Sequence, residues 1–259
     1  MQKYQPDKIL IIGTGGLALS FASALVKSEK YIVYSEGSNA KNTIEFCKKC
    51  KTINFKELES KNDLIVLLAV PDSQIELCTI KYGNYAKLIV HFSGTTPLEI
   101  LTKHTTDSAV CWPLESFSKS KKVNLSKVVC GISASNEYSS QIILNLINNL
   151  KLKYIFLNNE ERMKLHLTAV VLNNFIYHLL VLTKEWTKNE NINSLLFQNI
   201  LKKTTASFFF EDNGENQTGP AIRKDEMIIQ KHLSLLKGYP ELQNIYKVFT
   251  KSIIDKYNN

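Results

Sequence analysis

Six consecutive residues, Gly13-Thr14-Gly15-Gly16-Leu17-Ala18, close one apolar run and open the next. They fit the pattern G-x-G-x-x-G/A. The first glycine of that pattern permits a tight turn, and the second lets the backbone approach a pyrophosphate. The small third residue lets a helix pack closely on a strand. A helix starting here would offer unpaired N–H groups and the positive end of its dipole to phosphate. Glycine turns are common, and this one gains weight from its place in the first strand–turn–helix of the chain. Further along stand Ser35 and Glu36. An acid about 20 residues after the motif accepts hydrogen bonds from ribose hydroxyls and favours NAD, whereas a base favours the extra phosphate of NADP. Glu36 is acidic, yet Ser38 and Lys41 follow it, so both nucleotides stay open.

Two further stretches end apolar runs: Ala69-Val70-Pro71, leading to Asp72, and His91-Phe92-Ser93-Gly94-Thr95. In open α/β sheets ligands bind at the carboxyl ends of strands. A nicotinamide ring could therefore lie against the Ala69–Pro71 backbone and near Ser93. His91 is equally readable as a strand-end histidine satisfied by neighbouring backbone. In the second half of the chain, Arg162, His166 and Asn173 share one helical stripe with Asn174 close to it. The surrounding residues are apolar, which predicts a buried helix whose polar groups must find partners in each other, in water or in a ligand. Only Arg162 and Arg223 among the 32 basic residues are arginines. Arg223 follows a Thr218-Gly219-Pro220 turn and precedes Asp225, with His232 further on. A guanidinium fork grips a carboxylate or phosphate at two points, which Lys cannot do. Arg223 could thus hold an acidic substrate, or a carboxylate in a structural salt bridge.

These residues need a scaffold, and the hydrophobic pattern supplies one. Strands are predicted at 8–13, 31–35, 63–70, 87–93, 109–112, 127–134 and 153–158, and helices at 17–28, 39–50 and 139–150. Strand–helix alternation with continuous apolar strands predicts a parallel, doubly wound α/β sheet. The character changes near Asn158, which with Glu161 forms a capping-box signature. From there the pattern is helical: 159–186, 192–210, 223–237 and 240–256. The expected organisation is a dinucleotide-binding domain over 1–158 and a helical substrate and dimerisation domain over 159–259.

Composition narrows the classes. Hydrophobic residues make up 44% and charged residues 22% of the 259, as in ordinary soluble domains. No apolar run reaches 18 residues and no secretory leader pattern opens the chain, which predicts a cytoplasmic protein without a membrane span. Cys47 and Cys50 form a C-x-x-C, but no second pair or nearby histidine completes a metal site, so no metal is expected. The net charge of +8 comes almost entirely from dispersed lysines, without the basic stripe or arginines of a nucleic-acid footprint.

The segments ILIIGTGGLA, DLIVLLAVPDSQI, VHFSGTTPLEIL, WPLESFS, the R-x-x-x-H-x-x-A-x-x-x-x-N-N-F run (162–175) and TGPAIRKDE with KHLSLL after it are spread over the whole length. Through them the chain resembles two-domain Rossmann-like proteins with a helical C-terminal domain of uncharacterised function, provisionally described as NADP oxidoreductases of the deazaflavin-dependent type. It is similar in plan to 6-phosphogluconate dehydrogenase, pyrroline-5-carboxylate reductase and ketopantoate reductase. The resemblance implies a cleft between the domains, with His166, Asn174, Arg223, Asp225 and His91 as catalytic candidates. The cofactor-binding candidates are Gly13 to Ala18, Ser35, Glu36, Ala69, Val70, Pro71 and Ser93. It implies hydride transfer between NADP or NAD and a small carbonyl or imine compound, and a homodimer formed through the helical domain. Relatives often carry an arginine just after the second strand, where this chain has Glu36. The alternative is a dinucleotide-binding or redox-sensing protein without catalysis.

Overall fold

The computed structural model describes residues 7–36, 50–51, 63–118, 123–210 and 217–257. Ser38, Lys41, Cys47 and nearly all of the helix expected over 39–50 lie outside them. Contacts divide the chain into two units, Met1–Ala169 and Val170–Asn259.

The first unit is built on a seven-stranded sheet: β1 (Asp7–Ile12), β2 (Tyr31–Glu36), β3 (Leu64–Leu68), β4 (Ala86–His91), β5 (Ser108–Pro113), β6 (Val129–Ala134) and β7 (Lys153–Phe156). Their order is β2-β1-β3-β4-β5-β6-β7. β3 is buried along its whole length, which requires cover on both faces and explains its unbroken apolar sequence. The cover comes in two layers. Ile9 and Ile11 point to the face packed by Phe21 and Leu25 of α1 (Gly16–Ser28), and by Ile143, Leu146 and Ile147 further along. Leu10 and Ile12 point to the other face, against Ile75 and Tyr82 of α2 (Ile75–Tyr82) and Leu101 of α3 (Glu99–Thr102). Residues Ile143 to Ile147 belong to α4 (Glu137–Asn149), which Asn136 caps by accepting the Ser139 N–H at 2.8 Å.

One pairing departs from the parallel expectation. β5 and β6 run antiparallel, with Val110 opposite Ser133 and Trp112 opposite Gly131. A parallel pairing needs a crossover of a dozen or more residues, usually helical. Between β5 and β6 the described residues hold only a single 3₁₀ turn, Leu125–Lys127, so the chain doubles back.

After β7 comes α5 (Asn159–Ala169). The capping box forms as its sequence predicts: Asn158 Oδ1 accepts the Glu161 N–H at 2.9 Å, and Glu161 Oε2 accepts the Asn158 N–H at 2.8 Å. The helix then widens into a π-helical turn, Val170–Phe175, and continues as α6 (Ile176–Asn189).

The second unit holds α6, α7 (Gln198–Ser207), α8 (Glu226–Leu235) and α9 (Pro240–Tyr257). Tyr246 and His232 join α9 to α8 through a 2.9 Å hydrogen bond. The expectation of a buried helix after Leu165 is corrected here. The stretch Asn159–Asn189 has a window of mean hydropathy 1.6, and none of that window is buried. By length and hydropathy it could cross a membrane. Against that, His166, Asn173, Asn174 and His178 are spaced along it, and such groups are costly in lipid.

Candidate functional site

The glycine turn is held between β1 and β3. Gly13 has φ +121°, a conformation that side chains rarely adopt. A Cβ on it would lie 2.1 Å from the Ala69 carbonyl oxygen. Its N–H donates to the Glu36 carbonyl at 3.0 Å, while Ala69 N–H donates to Ile12 at 2.8 Å, so β2, β1 and β3 meet at this turn. Gly16 is required for another reason: a Cβ there would press on the Phe117–Ser118 backbone at 2.8–2.9 Å. Gly15 differs from both. A Cβ on it would meet nothing within 4 Å, so the space beside it is open. Ala18 is fully buried against the strands. Gly15 occupies the cap position of α1, no side chain caps that helix, and its first turn carries no acid. Its end therefore presents free N–H donors and an unopposed dipole.

The edge next to this turn is formed by the ends of β3 and β4. Asp72 Oδ2 accepts from Ser93 Oγ at 2.7 Å and also from Thr95 Oγ1. Ser93 Oγ in turn accepts the N–H groups of Thr95 at 3.0 Å and Thr96 at 2.9 Å. Burial pulls the Asp72 carboxyl upward, but the hydrogen bonds from Thr95, Ser93 and Thr96 outweigh it and hold the group below its ordinary value. Asp72 is thus a fixed anion on an ordered turn.

Beneath the turn lies His91, fully buried. Its Nδ1 accepts the Ser93 N–H at 3.1 Å, and its Nε2 makes no well-formed hydrogen bond, the Pro97 backbone being a polar neighbour of the ring. Burial, with the nearby Arg162 guanidinium, pushes its pKa down to about 4. His91 is therefore neutral at physiological pH and supports the Ser93 turn from inside, out of reach of a solvent-borne ligand.

Arg162 is almost wholly buried, with 1% exposure. Its Nη1 donates to Ser133 Oγ at 3.0 Å, and its Nη2 donates to the Thr96 carbonyl at 2.7 Å and to Asn159 Oδ1 at 2.9 Å. Asn159 Nδ2 donates onward to Glu99 at 2.7 Å, so a neutral amide links the guanidinium to its nearest acid. One turn later, His166 and Trp112 flank Gly94, their ring centroids 5.9 Å apart. A Cβ on Gly94 would lie 2.4 Å from His166 Cδ2 and 2.9 Å from Trp112 Nε1. α5 thus clamps the Ser93–Leu98 loop.

The remaining candidates are distributed as follows. Thr14, Leu17, Ala69 and Val70 are half-buried around the glycine turn, and Pro71 is exposed. Ser35 is buried with an unpartnered Oγ. Glu36 Oε1 accepts from Tyr82 and Lys81. Asn174 and Arg223 are exposed and belong to the second unit. Among the described residues Arg223 forms no ion pair. Asp225 caps α8 instead, accepting the Ile228 N–H at 3.2 Å. Cys50 is buried in the core of the first unit, and no cluster of metal-ligand side chains occurs among the described residues. Sequence reasoning named the stretches that carry Asp72 and Thr95 without giving either residue a role, and it gave none to Thr96 or Trp112. The polar run Ser93-Gly94-Thr95-Thr96 directly after a buried strand was the available signal.

A doubly wound sheet with an open glycine cradle at the carboxyl ends of its strands defines the class: a Rossmann-like, dinucleotide-fold protein with a helical C-terminal segment. Comparison with known proteins agrees. Residues 128–253 match a domain of unknown function, DUF2520. A solved Bacteroides fragilis protein, provisionally named an NADP oxidoreductase, is 27% identical with a TM-score of 0.84, over 98% of this chain and 100% of that one. The 1-pyrroline-5-carboxylate reductase of Streptococcus pyogenes is 15% identical over 96% of this chain and 98% of its own, with a TM-score of 0.56. A reductive aminase from Aspergillus terreus, solved with NADPH and ethyl-5-oxohexanoate, is 10% identical over 97% and 95%, with a TM-score of 0.67. The last two likenesses are of fold alone. No curated protein matches the sequence.

Proposed function

We propose that the protein is an NAD(P)-dependent oxidoreductase that reduces or oxidises a small carbonyl or imine compound at the carboxyl edge of the first unit's sheet. The observation that carries this reading is the cradle itself. Gly13 is fixed by φ and by the Ala69 carbonyl, Gly15 faces open space, and the first turn of α1 has neither cap nor acid. These residues fit a dinucleotide pyrophosphate, which the α1 N–H groups would hold. When bound, the nicotinamide supplies or takes up the hydride. The ordered Ala69–Pro71 backbone and the Ser93 turn, braced by Asp72 and His91, provide a rigid wall for a flat ring. His166, whose ring lies against the Gly94 turn, would pass a proton to or from the substrate heteroatom, since an imidazole has ring nitrogens that can both donate and accept one. Asn174 and Arg223 are exposed polar groups of the second unit, and the Arg223 guanidinium can grip a carboxylate at two points. The neighbours' names, which include imine and pyrroline-carboxylate reductases, support the carbonyl or imine class.

We also propose that the working form is a homodimer built on the helical unit. Leu195 and Leu196 are 73% and 75% exposed and Phe209 is 82% exposed, and exposed apolar residues recur through this unit from Val171 to Phe210. Apolar patches of such extent on a soluble chain are interaction surfaces.

The test is a thermal-shift titration with NADPH and NADH on the native protein and on Gly15→Asp. Ligand at about 100 times its Kd should stabilise the native fold by about 2.7 kcal/mol. Gly15→Asp has room for its side chain and supplies the missing cap, so its own melting temperature should hold or rise. Its carboxylate would stand in the anion cradle, and the shift should vanish. No shift with either nucleotide on the native protein would end the oxidoreductase reading. Binding without turnover across carbonyls and imines would favour a sensor.

A further inference from the structure

The adenosine end of the cradle carries a charge that comes from outside the usual segment. Glu36 ends β2, and its carbonyl accepts the Gly13 N–H, so it lies directly beside the glycine turn. Its Oε1 accepts the Tyr82 hydroxyl at 2.7 Å and the Lys81 ammonium at 3.0 Å, while Oε2 is buried without a partner. Lys81 Nζ also sits 4.6 Å from the centre of the Tyr82 ring. The Glu36 side chain is 30% exposed and the Lys81 side chain 63%. The carboxylate is drawn inward by the buried tyrosine, and the ammonium is the outward-facing charge. Tyr82 and then Glu36 hold the ammonium above its ordinary pKa, so it stays charged at any working pH.

We propose that Lys81 receives the 2′-phosphate of NADPH, and that Glu36, pinned inward, is the lysine's resting partner instead of binding ribose hydroxyls. This rests on the dinucleotide reading above and names which dinucleotide is taken. An acid at the end of β2 signals NAD only when its oxygens reach the ribose. Here one oxygen is occupied and the other buried. A partly exposed ion pair contributes little, so the ammonium can exchange its partner at small cost. A phosphate monoester carries close to two negative charges near neutrality and is the stronger partner. A lysine also suits a site approached from another element, because its long stem carries a point charge without the directional demands of a guanidinium. The helix after β3 thereby supplies the cation that relatives place after β2.

Calorimetric titration of NADPH and NADH into the native protein, Lys81→Met and Glu36→Gln tests the assignment. The native protein should bind NADPH at least about tenfold tighter than NADH, one decade of preference being a modest demand on a single charge contact. Lys81→Met should lose that factor for NADPH, keep NADH within about twofold, and melt unchanged, because an exposed pair adds little to stability. Glu36→Gln frees the ammonium and should tighten NADPH further. Equal or tighter binding of NADH by the native protein overturns the assignment, and so does a Lys81→Met variant that weakens both nucleotides alike. If neither nucleotide binds, the dinucleotide reading itself fails and the assignment with it.

Discussion

His91 shows how a single residue can look catalytic and be something else. The resemblance placed it among the catalytic candidates while its strand-end position equally allowed a structural part, and full burial leaves it neutral with Nδ1 accepting the Ser93 N–H. The folded protein binds a proton on His91 more weakly than the unfolded chain does, with a pKa of about 4 against 6.5. Its contribution is therefore complete above pH 6.5 and is lost as pH falls from 6.5 towards 4. Such a shift corresponds to about 3 kcal/mol, most of it gone by pH 5. Urea unfolding at pH 7 and pH 5 should show that loss, and His91→Gln should flatten it, since an amide oxygen can still accept the Ser93 N–H. A slope unchanged by the substitution would assign the pH response elsewhere. The glycines were more legible than the histidine. Gly13 announces a backbone constraint that follows from its motif alone, and so the structure shows it. What surrounds His91 depends on Arg162, far along the chain, and no local pattern reports that.

At the scale of elements, the antiparallel β5–β6 pair decides where α5 falls. Val110 pairs with His91 on one side and with Ser133 on the other. The reversal therefore brings Ser133 level with the end of β4, within reach of Arg162. Alternation of strands and helices could not predict this, because it gives the order of elements and not their direction. The capping box at Asn158 was readable, since all its partners lie within four residues. The π turn was not. It breaks the regular helical phase between His166 and Asn173, so the stripe drawn through both assumes a geometry that the helix does not keep. Arg162→Lys tests the clamp. An ammonium cannot serve Ser133, Thr96 and Asn159 from one planar fork, and leaving buried acceptors unmet should cost about 2–3 kcal/mol. Chemical unfolding measures it. A loss below about 0.5 kcal/mol, the range of ordinary surface substitutions, would mean that the loop is held by other contacts.

For the whole molecule, the apolar surface of the helical unit is the dominant feature. The sequence showed the apolar content of Asn159–Asn189 clearly, and burial within the chain was the natural expectation. The chain does not bury it. A standard interface takes about 800 Å² from each partner, and the exposed apolar side chains from Val171 to Phe210 are candidates to supply it. Sedimentation velocity of the native protein should give a dimer, and Leu196→Glu with Phe209→Glu should give a folded monomer. A native protein that sediments as a monomer at all concentrations would leave this surface to a different partner.

The uncapped start of α1 has a practical consequence. Free N–H groups at a helix end do not discriminate strongly among small oxyanions, and sulfate or inorganic phosphate from a buffer can occupy them as readily as a cofactor's pyrophosphate does. The protein handled in phosphate should then be partly liganded already. Its melting point should rise, and its apparent affinity for nucleotide should fall by competition. The intrinsic strength of the cradle is read only in buffers whose anions are too large or too weakly charged to enter it.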